Sequence, residues 1–159
     1  MSELNDCLKC LYEHYAVFLP PIDSKTAQQA SVTLVKAGVP PIPLDYVSFL
    51  SKANGMSWNG IVFFALQDTE RNKGAFHHPG ILQNKSFCQN NAVMHKKLWL
   101  GYGCESLIVY DFLAKEYQVL DRYTYQKIYT FPTLIALLQH ITKPLKQPAA
   151  PGAVQNQNP

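Results

Sequence analysis

Three apolar segments separated by short turns dominate the C-terminal half of the sequence. They read LWL at residues 98–100, LIVYDF at residues 107–112 and YQVLD at residues 117–121. The segment GYGCES links the first two, and a turn near residues 113–115 links the second to the third. Short apolar strands that alternate with turn residues are typical of β-hairpins. The pattern therefore predicts an antiparallel meander, around which the rest of the chain must pack.

Helical periodicity marks two segments near the N-terminus. The first predicted helix begins near residue 4 and ends at Pro20-Pro21; the second follows a cap at Asp23-Ser24 and ends at Gly38. Their apolar stripes consist of Leu4, Leu8, Leu11, Tyr15 and Phe18 in the first helix, and Ala27, Ala30, Leu34 and Ala37 in the second.

A third helix is predicted from the segment PLDYVSFLSKANG at residues 43–55. Pro43 suits a first helical turn, and Asp45 complements the positive end of the helix. Asn54-Gly55 ends the helix, because glycine accepts the left-handed backbone that a helix C-terminus commonly needs. Residues 56–59 are expected to form an exposed link to an apolar strand at residues 61–66. The predicted apolar stripe of this helix consists of Tyr46, Phe49, Leu50 and Ala53.

The remaining segments complete an α+β prediction. Residues 67–96 are polar and broken by Gly74 and Pro79-Gly80, so we expect a long excursion with room for one short helix. A closing helix is predicted with Thr130 as its cap and Pro132 in its first turn. Its apolar stripe is Phe131, Leu134, Ile135, Leu138 and Ile141, and it ends before Lys143-Pro144.

The predicted organisation is one domain, residues 1–143, in which a twisted antiparallel sheet is packed with helices. Residues 3–38 supply N-terminal helices, residues 40–141 the core, and residues 144–159 a polar, proline-rich disordered tail. The start MSELNDCLKC lacks a signal pattern and no apolar window is long enough for a membrane span, so we expect a cytoplasmic protein without a membrane partner. The basic residues are scattered and the net charge is only +3, which makes a nucleic acid partner unlikely.

The cysteines and histidines could in principle form a metal site, a redox site or a thiol active site, but their spacing requires none of these. Cys7 and Cys10 have CxxC spacing, but they lie on a predicted amphipathic helix and lack a second ligand pair, so packing is favoured over metal or redox work. A thiol enzyme built on Cys88 or Cys104 is a weaker hypothesis, because nothing brings a base and an orienting acid together. We therefore predict no enzyme, no cofactor and no metal. The candidate bases and acid are His77, His78, His95 and Glu105.

Three ordered segments, PLDYVSFLSKANG, LWLGYGCESLIVYDF and FPTLIALLQHI, resemble the SUKH superfamily, which includes the Smi/Knr-like fungal regulators and YrhA-like bacterial proteins. The resemblance covers about residues 40–141. Its matching residues are Pro43, Tyr46, Phe49, Leu50, Asn54 and Gly55 in the first segment, Leu100, Gly101, Ile108, Tyr110 and Asp111 in the second, and Phe131, Leu134 and Leu138 in the third.

The resemblance implies a protein-binding domain without an active site. In bacteria such a domain serves mainly as an immunity protein that holds a cognate toxin domain, often a nuclease or deaminase, inactive; the alternative is a Smi/Knr-type regulatory scaffold without a toxin partner. Immunity proteins against cationic nucleases are often acidic, whereas this chain has a pI near 8.6. Contacts led by shape and apolar area are therefore favoured over a strongly basic toxin.

The expected partner surface combines the loop at residues 56–60, parts of residues 67–80 and the tyrosine-bearing sheet. Tyrosine and tryptophan are common at protein interfaces, although Trp58 is equally consistent with a side chain folded back over the core. The predicted partner-binding residues are Met56, Trp58, Asn59, Arg71, Tyr102, Glu105, Tyr123 and Tyr125.

Overall fold

The computed structural model describes residues 2–71, 73–74 and 76–146. These residues form five α-helices, one 3₁₀ turn and nine strands. The helices are α1 (Glu3–Glu13), α2 (Ser24–Lys36), α3 (Leu44–Leu50), α4 (Lys85–Asn90) and α5 (Leu134–Lys146), with the 3₁₀ turn at Ala92–Met94. The strands are β1 (Val17–Phe18), β2 (Met56–Trp58), β3 (Ile61–Phe63), β4 (Thr69–Arg71), β5 (Phe76–His78), β6 (Lys97–Tyr102), β7 (Ser106–Asp111), β8 (Glu116–Asp121) and β9 (Lys127–Phe131).

A seven-stranded sheet in the order β1-β2-β3-β6-β7-β8-β9 forms the centre of the fold, and all its neighbouring strands are antiparallel. Strands β6, β7 and β8 form the predicted meander, so the α+β prediction is confirmed. The polar excursion contains the expected short helix, α4, together with a separate β4-β5 hairpin. No helix of the described ranges is long and apolar enough to cross a bilayer.

The two faces of the sheet carry different helices. On one face, the helical face, α3 packs Phe49 against Phe63 of β3, with ring centroids 6.0 Å apart. Helix α5 covers the same face beside β9, while α1 packs on α5 and α2 on α3. On the opposite face, α4 places Phe87 against Trp99 of β6 at 4.8 Å. The core therefore lies mainly between the sheet and the helices that cover its helical face.

Helix α1 is shorter than its apolar stripe predicted. It ends at Glu13, and the backbone N–H of the following His14 donates to the carbonyl oxygens of Leu11 and Tyr12. Tyr15 then takes a left-handed backbone with φ 71°, and its side chain is 91% exposed. The following Val17–Phe18 pair with β2, so strand hydrogen bonds replace further helical ones. The prediction that Tyr15 and Phe18 extend the helical stripe was therefore wrong.

Helix α2 forms where the sequence placed it, whereas α3 ends at Leu50 and leaves Ala53 and the predicted Asn54-Gly55 stop outside the helix. Asp23 caps α2 by accepting a hydrogen bond from the N–H of Lys25 at 3.0 Å. Beyond α3, Gly55 has φ +97°, and a Cβ there would lie 2.9 Å from the backbone nitrogen of Ala65, so the chain needs glycine at this turn. Asn54 adds a contact that the stop pattern did not predict, because its Oδ1 accepts from the N–H of Leu66 at 2.9 Å.

The buried phenol of Tyr46 ties α3 to the sheet. Its hydroxyl lies 2.7 Å from the carbonyl oxygen of Phe64 and 3.2 Å from that of Leu100, and it donates to this pair of acceptors. Burial raises the pKa of Tyr46 well above its usual value, so the hydroxyl remains a donor. One side chain of the predicted apolar stripe thus supplies a polar anchor between a helix and two segments of the sheet.

Residues 56–66 differ from the prediction of an exposed link and a long strand. Residues 56–58 are strand β2, and Met56 is 0% exposed between its pairing partners Phe18 and Phe63. Asn59 and Gly60 form the hairpin turn to β3 with φ of 48° and 82°, the left-handed pair that such two-residue turns require. β3 itself ends at Phe63.

The C-terminal part also corrects the prediction. Phe131 belongs to β9 rather than to the closing helix, which begins at Leu134, where the Thr133 hydroxyl accepts from the N–H of Ala136 at 3.1 Å. The helix continues through Pro144 to Lys146, because a proline in the last turn removes only one backbone hydrogen bond. Residues 147–159 of the predicted tail lie outside the described residues.

Candidate partner-binding surfaces

Three turns meet at one end of the sheet, which we call the tip: residues 59–60, 103–105 and 122–126. The backbone N–H of Arg122 donates to the carbonyl of Glu105 at 3.0 Å and joins two of these turns. Of the predicted partner-binding residues, Asn59, Glu105 and Tyr123 are exposed at the tip. The structure therefore brings these three, which lie far apart in sequence, to the same end of the sheet.

The half-buried aromatic residues of the predicted set lie on both faces of the sheet. Trp58 pairs with Ile61 on the helical face, and its Nε1 donates to the carbonyl of His14 at 2.9 Å. Tyr102 pairs with Val62 and so lies on the opposite face, where the guanidinium of Arg122 is 5.9 Å from its ring centroid. Opposite faces of a sheet cannot both contact one small partner segment, so this predicted set is divided.

Three further members of the set have distinct positions. Tyr125 takes a left-handed backbone with φ 61°, and its hydroxyl accepts from Nδ2 of Asn91 at 3.3 Å. Met56 was wrongly predicted to be on the surface, because its side chain is fully buried where β2 pairs with Phe18 and Phe63. The side chain of Arg71 lies outside the described part of the structure.

Three of the four cysteines are buried, as expected for packing residues. Burial raises the pKa of Cys7 on α1 and of Cys88 on α4, and Sγ of Cys88 accepts from the N–H of Trp99 at 3.4 Å. Cys10 is also buried, and Cys104 is exposed at the tip. Within residues 2–71, 73–74 and 76–146, no group of three or more His, Cys, Asp or Glu residues is placed to hold a metal ion. Cys7 and Cys10 are thus buried side chains of α1.

A long apolar depression lies at the other end of the sheet, and we call it the proline groove. It consists of three adjoining cavities of about 520, 420 and 310 Å³, which all share Pro41 in their walls. Its apolar lining is Val32 and Val35 from α2, the connecting residues Val39, Pro40, Pro41, Ile42 and Pro43, Leu44 and Val47 from α3, and Tyr110, Phe112 and Pro132 from the sheet end.

The groove is shaped by how α2 is held. Helix α2 buries Ala27, Ala30 and Leu34 against the core, which turns Val32 and Val35 outward; each is 55% exposed. Along the opposite wall, Oγ of Ser31 accepts from the N–H of Ile42 at 3.0 Å and fastens the proline segment to the helix. The prolines of that segment offer no N–H donors, so the wall presents mainly apolar surface.

Asp45 supports one end of the groove. One carboxylate oxygen accepts from the hydroxyl of Tyr117 at 2.5 Å, and the other accepts from the N–H of Leu134 at 2.8 Å. The second contact places a negative charge at the N-terminus of α5, where the helix dipole favours it. Burial, followed by Asp45, raises the pKa of Tyr117, so its hydroxyl stays protonated as the donor. The sequence placed Asp45 at the start of its own helix but gave no sign of its contact with the start of α5.

The aromatic side chains of Tyr110 and Phe112 line the groove at its Asp45 end. Tyr110 packs edge to face with Phe112 and with Tyr117, at 4.8 Å in each case. Burial, and then the charges of Asp45 and Asp111, raise the pKa of Tyr110. The groove therefore carries a carboxylate beside aromatic rings at this end.

The sequence contained one signal of the groove that the prediction did not use. In α2 the stripe of Ala27, Ala30 and Leu34 leaves two valines, Val32 and Val35, on the face that should be polar. Apolar residues on the outer side of an amphipathic helix indicate a second contact surface. Only the fold shows that Val35 shares a cavity with Phe112, and that both valines share one with Pro41.

Comparison with known proteins identifies no family for this chain. No protein-family model matches it, and no curated protein matches it either. The SUKH resemblance therefore remains a prediction based on the three sequence segments.

Proposed function

We propose that this chain is a protein-binding domain whose proline groove holds a segment of a partner protein. The observation that supports this proposal is the row of exposed apolar side chains around adjoining cavities: Val32, Val35 and Leu44, the last of them 79% exposed. Contiguous exposed apolar surface commonly marks an interaction site, because burying it releases about 25 cal/mol for each Å².

The finer proposal is a cytoplasmic immunity protein of the SUKH type that neutralises a cognate toxin by direct, non-catalytic binding. It rests on the three resembling segments and on the nature of the groove. A groove of valine, proline and aromatic residues matches the expectation that a chain with net charge +3 binds through shape and apolar area. A Smi/Knr-type scaffold would use the same groove for a partner that is not a toxin.

The test is rescue of bacterial cells that express the C-terminal toxin domain encoded beside this gene. Wild-type protein should restore growth, and Val35→Asp should abolish the rescue, because an unpaired carboxylate buried in an apolar contact costs about 3 kcal/mol, or about 100-fold in affinity. Val93→Asp is the matched control, since Val93 is an exposed valine outside the groove lining.

The outcomes separate the two levels of the proposal. Rescue by Val93→Asp but not by Val35→Asp supports groove-mediated immunity. Equal rescue by both variants shows that another surface binds the toxin. Neighbouring genes without a toxin domain, or no rescue by the wild type, count against immunity and favour the scaffold.

A further inference from the structure

The proline groove carries opposite charges at its two ends. Asp45 lines the largest cavity, near Gln28 of α2, whereas Lys36 lines the cavity farther along α2. Lys96 lines the third cavity, which shares Val35 and Pro41 with the cavity that Lys36 lines. Between these charged residues the walls are mainly apolar, with Ser31 as a polar residue that lines two of the cavities. A partner segment lying along the groove would therefore meet a carboxylate first and two ammonium groups last.

The length of the groove indicates the size of its occupant. Gln28 and Lys36 are eight residues apart on α2, which corresponds to a rise of about 12 Å along the helix axis. An extended chain covers that distance in about four residues. Charged side chains of the partner should thus be separated by about two to four apolar residues.

We propose that the groove binds a short extended segment of the partner that places an arginine at Asp45, apolar residues over Val35 and Pro41, and an acidic side chain between Lys36 and Lys96. This inference rests on the proposed function and adds the chemistry of the partner. Charge complementarity at both ends fixes the direction of the segment, because the reversed segment would bring like charges together.

The Asp45 end suits a guanidinium in particular. In the structure each carboxylate oxygen accepts one hydrogen bond, from Tyr117 or from the N–H of Leu134, and a carboxylate oxygen can accept a second. The rings of Tyr110 and Phe112 line the same cavity, and a planar guanidinium can lie against an aromatic face while it donates to the carboxylate.

The experiment is selection from a phage library of random twelve-residue peptides on the folded wild-type protein, with Val35→Asp as the counter-selection. We expect peptides that depend on the groove to carry Arg, an apolar stretch and Asp or Glu in one constant order. Their affinities are then measured by fluorescence anisotropy against the double variant Lys36→Glu, Lys96→Glu. Lys52→Glu, Lys127→Glu is the control, because it makes the same change in net charge at exposed lysines outside the groove lining.

The expected result is at least a tenfold loss with the groove double variant, less than twofold loss with the control, and recovery when the acidic residue of the peptide is replaced by Lys. Replacing the Arg of the peptide by Gln should also cost at least tenfold, which tests Asp45 without altering a residue that supports the fold. Selection without a constant charge order, no enrichment that depends on the groove, or equal effects of the two double variants would overturn the inference.

Failure of the inference and failure of the proposed function are distinguishable. If Val35→Asp abolishes rescue from the toxin but the peptides show no charge order, the immunity proposal stands and the inference fails. If ordered peptides bind the groove but the protein rescues no cells, the inference stands and the immunity proposal fails.

Discussion

The two ends of the sheet present different kinds of surface. At the tip, Asn59, Glu105 and Tyr123 project separately from three turns, and the neighbouring cavity beneath α5 holds only about 150 Å³. At the groove end, side chains from α2, a proline segment and β7 meet around cavities of up to about 520 Å³. Turns expose individual residues, whereas a concave apolar surface needs elements from distant parts of the chain to pack side by side.

The ends also differ in what holds them. Turn residues hold the tip: Oδ1 of Asp121 accepts from the N–H groups of Tyr123 and Thr124, both at 2.9 Å, and these bonds lower the pKa of Asp121. At the groove end, side chains that are far apart in sequence hold the packing, since Asp45 joins Tyr117 to the start of α5. Substitutions should therefore cost more stability at the groove end than at the tip.

The largest expected difference is between two glycines at the two ends of strand β2, both with positive φ. Gly55→Ala should lower the free energy of unfolding by about 3 to 4 kcal/mol, because left-handed strain adds to a close approach. The added Cβ would lie 2.7 Å from Nε2 of His78. Gly60→Ala at the tip meets nothing within 4 Å and should cost only about 1 kcal/mol. Urea unfolding of the two variants measures the difference, and equal costs would contradict the expectation that the end of β2 opposite the tip is packed more tightly than the tip.

A second pair compares acidic residues. Asp45→Ala removes two charge-assisted hydrogen bonds and should cost about 2 to 3 kcal/mol. Glu105→Ala, at an exposed tip position, should stay within about 0.5 kcal/mol of the wild type. The urea midpoints of both variants are the readout. If Asp45→Ala unfolds at the wild-type midpoint, the groove end is not held through Asp45.

The comparison also explains which parts of the structure the sequence could predict. The stripe residues Tyr46, Phe49 and Leu50 lie within about one helical turn of each other, and all three are helical and buried as predicted. The Asn54-Gly55 stop was placed too late, because α3 already ends at Leu50 and Ala53 lies outside it. The strand β9 was missed because Thr130 and Phe131 also satisfy the start of a helix, and because its residues are exposed at four of five positions, without the alternation of a half-buried strand. The hairpin at Asn59-Gly60 had a clear local signal, an Asn-Gly pair before an apolar run, but was interpreted as a link.

The groove and the Asp45 contacts lay beyond sequence reasoning for a physical reason. Asp45 meets the N–H of Leu134, 89 positions away, and the spacing of residues along the chain carries no information about such a contact. The same holds for Val35 and Phe112, which line one cavity from different elements. The tip, by contrast, is made of hairpin turns, so its residues could be nominated from the sequence.

The variant Tyr117→Phe tests how the groove end is held, through the pH dependence of the free energy of unfolding. Loss of the hydrogen bond to Asp45 should cost about 1.5 kcal/mol near neutral pH. In the folded protein the pKa of Tyr117 lies above the ordinary value of 10.0, so the unfolded chain loses this proton first as the pH rises. The stability that the protonated phenol contributes is fully present below about pH 10 and is lost above it.

The measurement is the urea midpoint of wild type and Tyr117→Phe between pH 8 and pH 11.5, a range chosen about the ordinary tyrosine pKa. The wild-type stability should fall more steeply above pH 10 than that of the variant. Tyr123→Phe is the control, because Tyr123 is an exposed tip residue. Parallel curves for wild type and Tyr117→Phe would show that the buried phenol does not contribute to this pH dependence.

The smallest expected effect concerns Trp58, which connects the tip to the N-terminal helix. Trp58→Phe keeps an aromatic ring against the core but removes the hydrogen bond to the carbonyl of His14, so the loss should be about 1 kcal/mol. If the ring serves mainly as packing, Trp58→Ala should cost clearly more than Trp58→Phe in urea unfolding, while toxin rescue by Trp58→Phe stays at the wild-type level. A variant that unfolds normally yet loses rescue would make Trp58 a partner contact, and the tip would then share the binding role proposed for the groove.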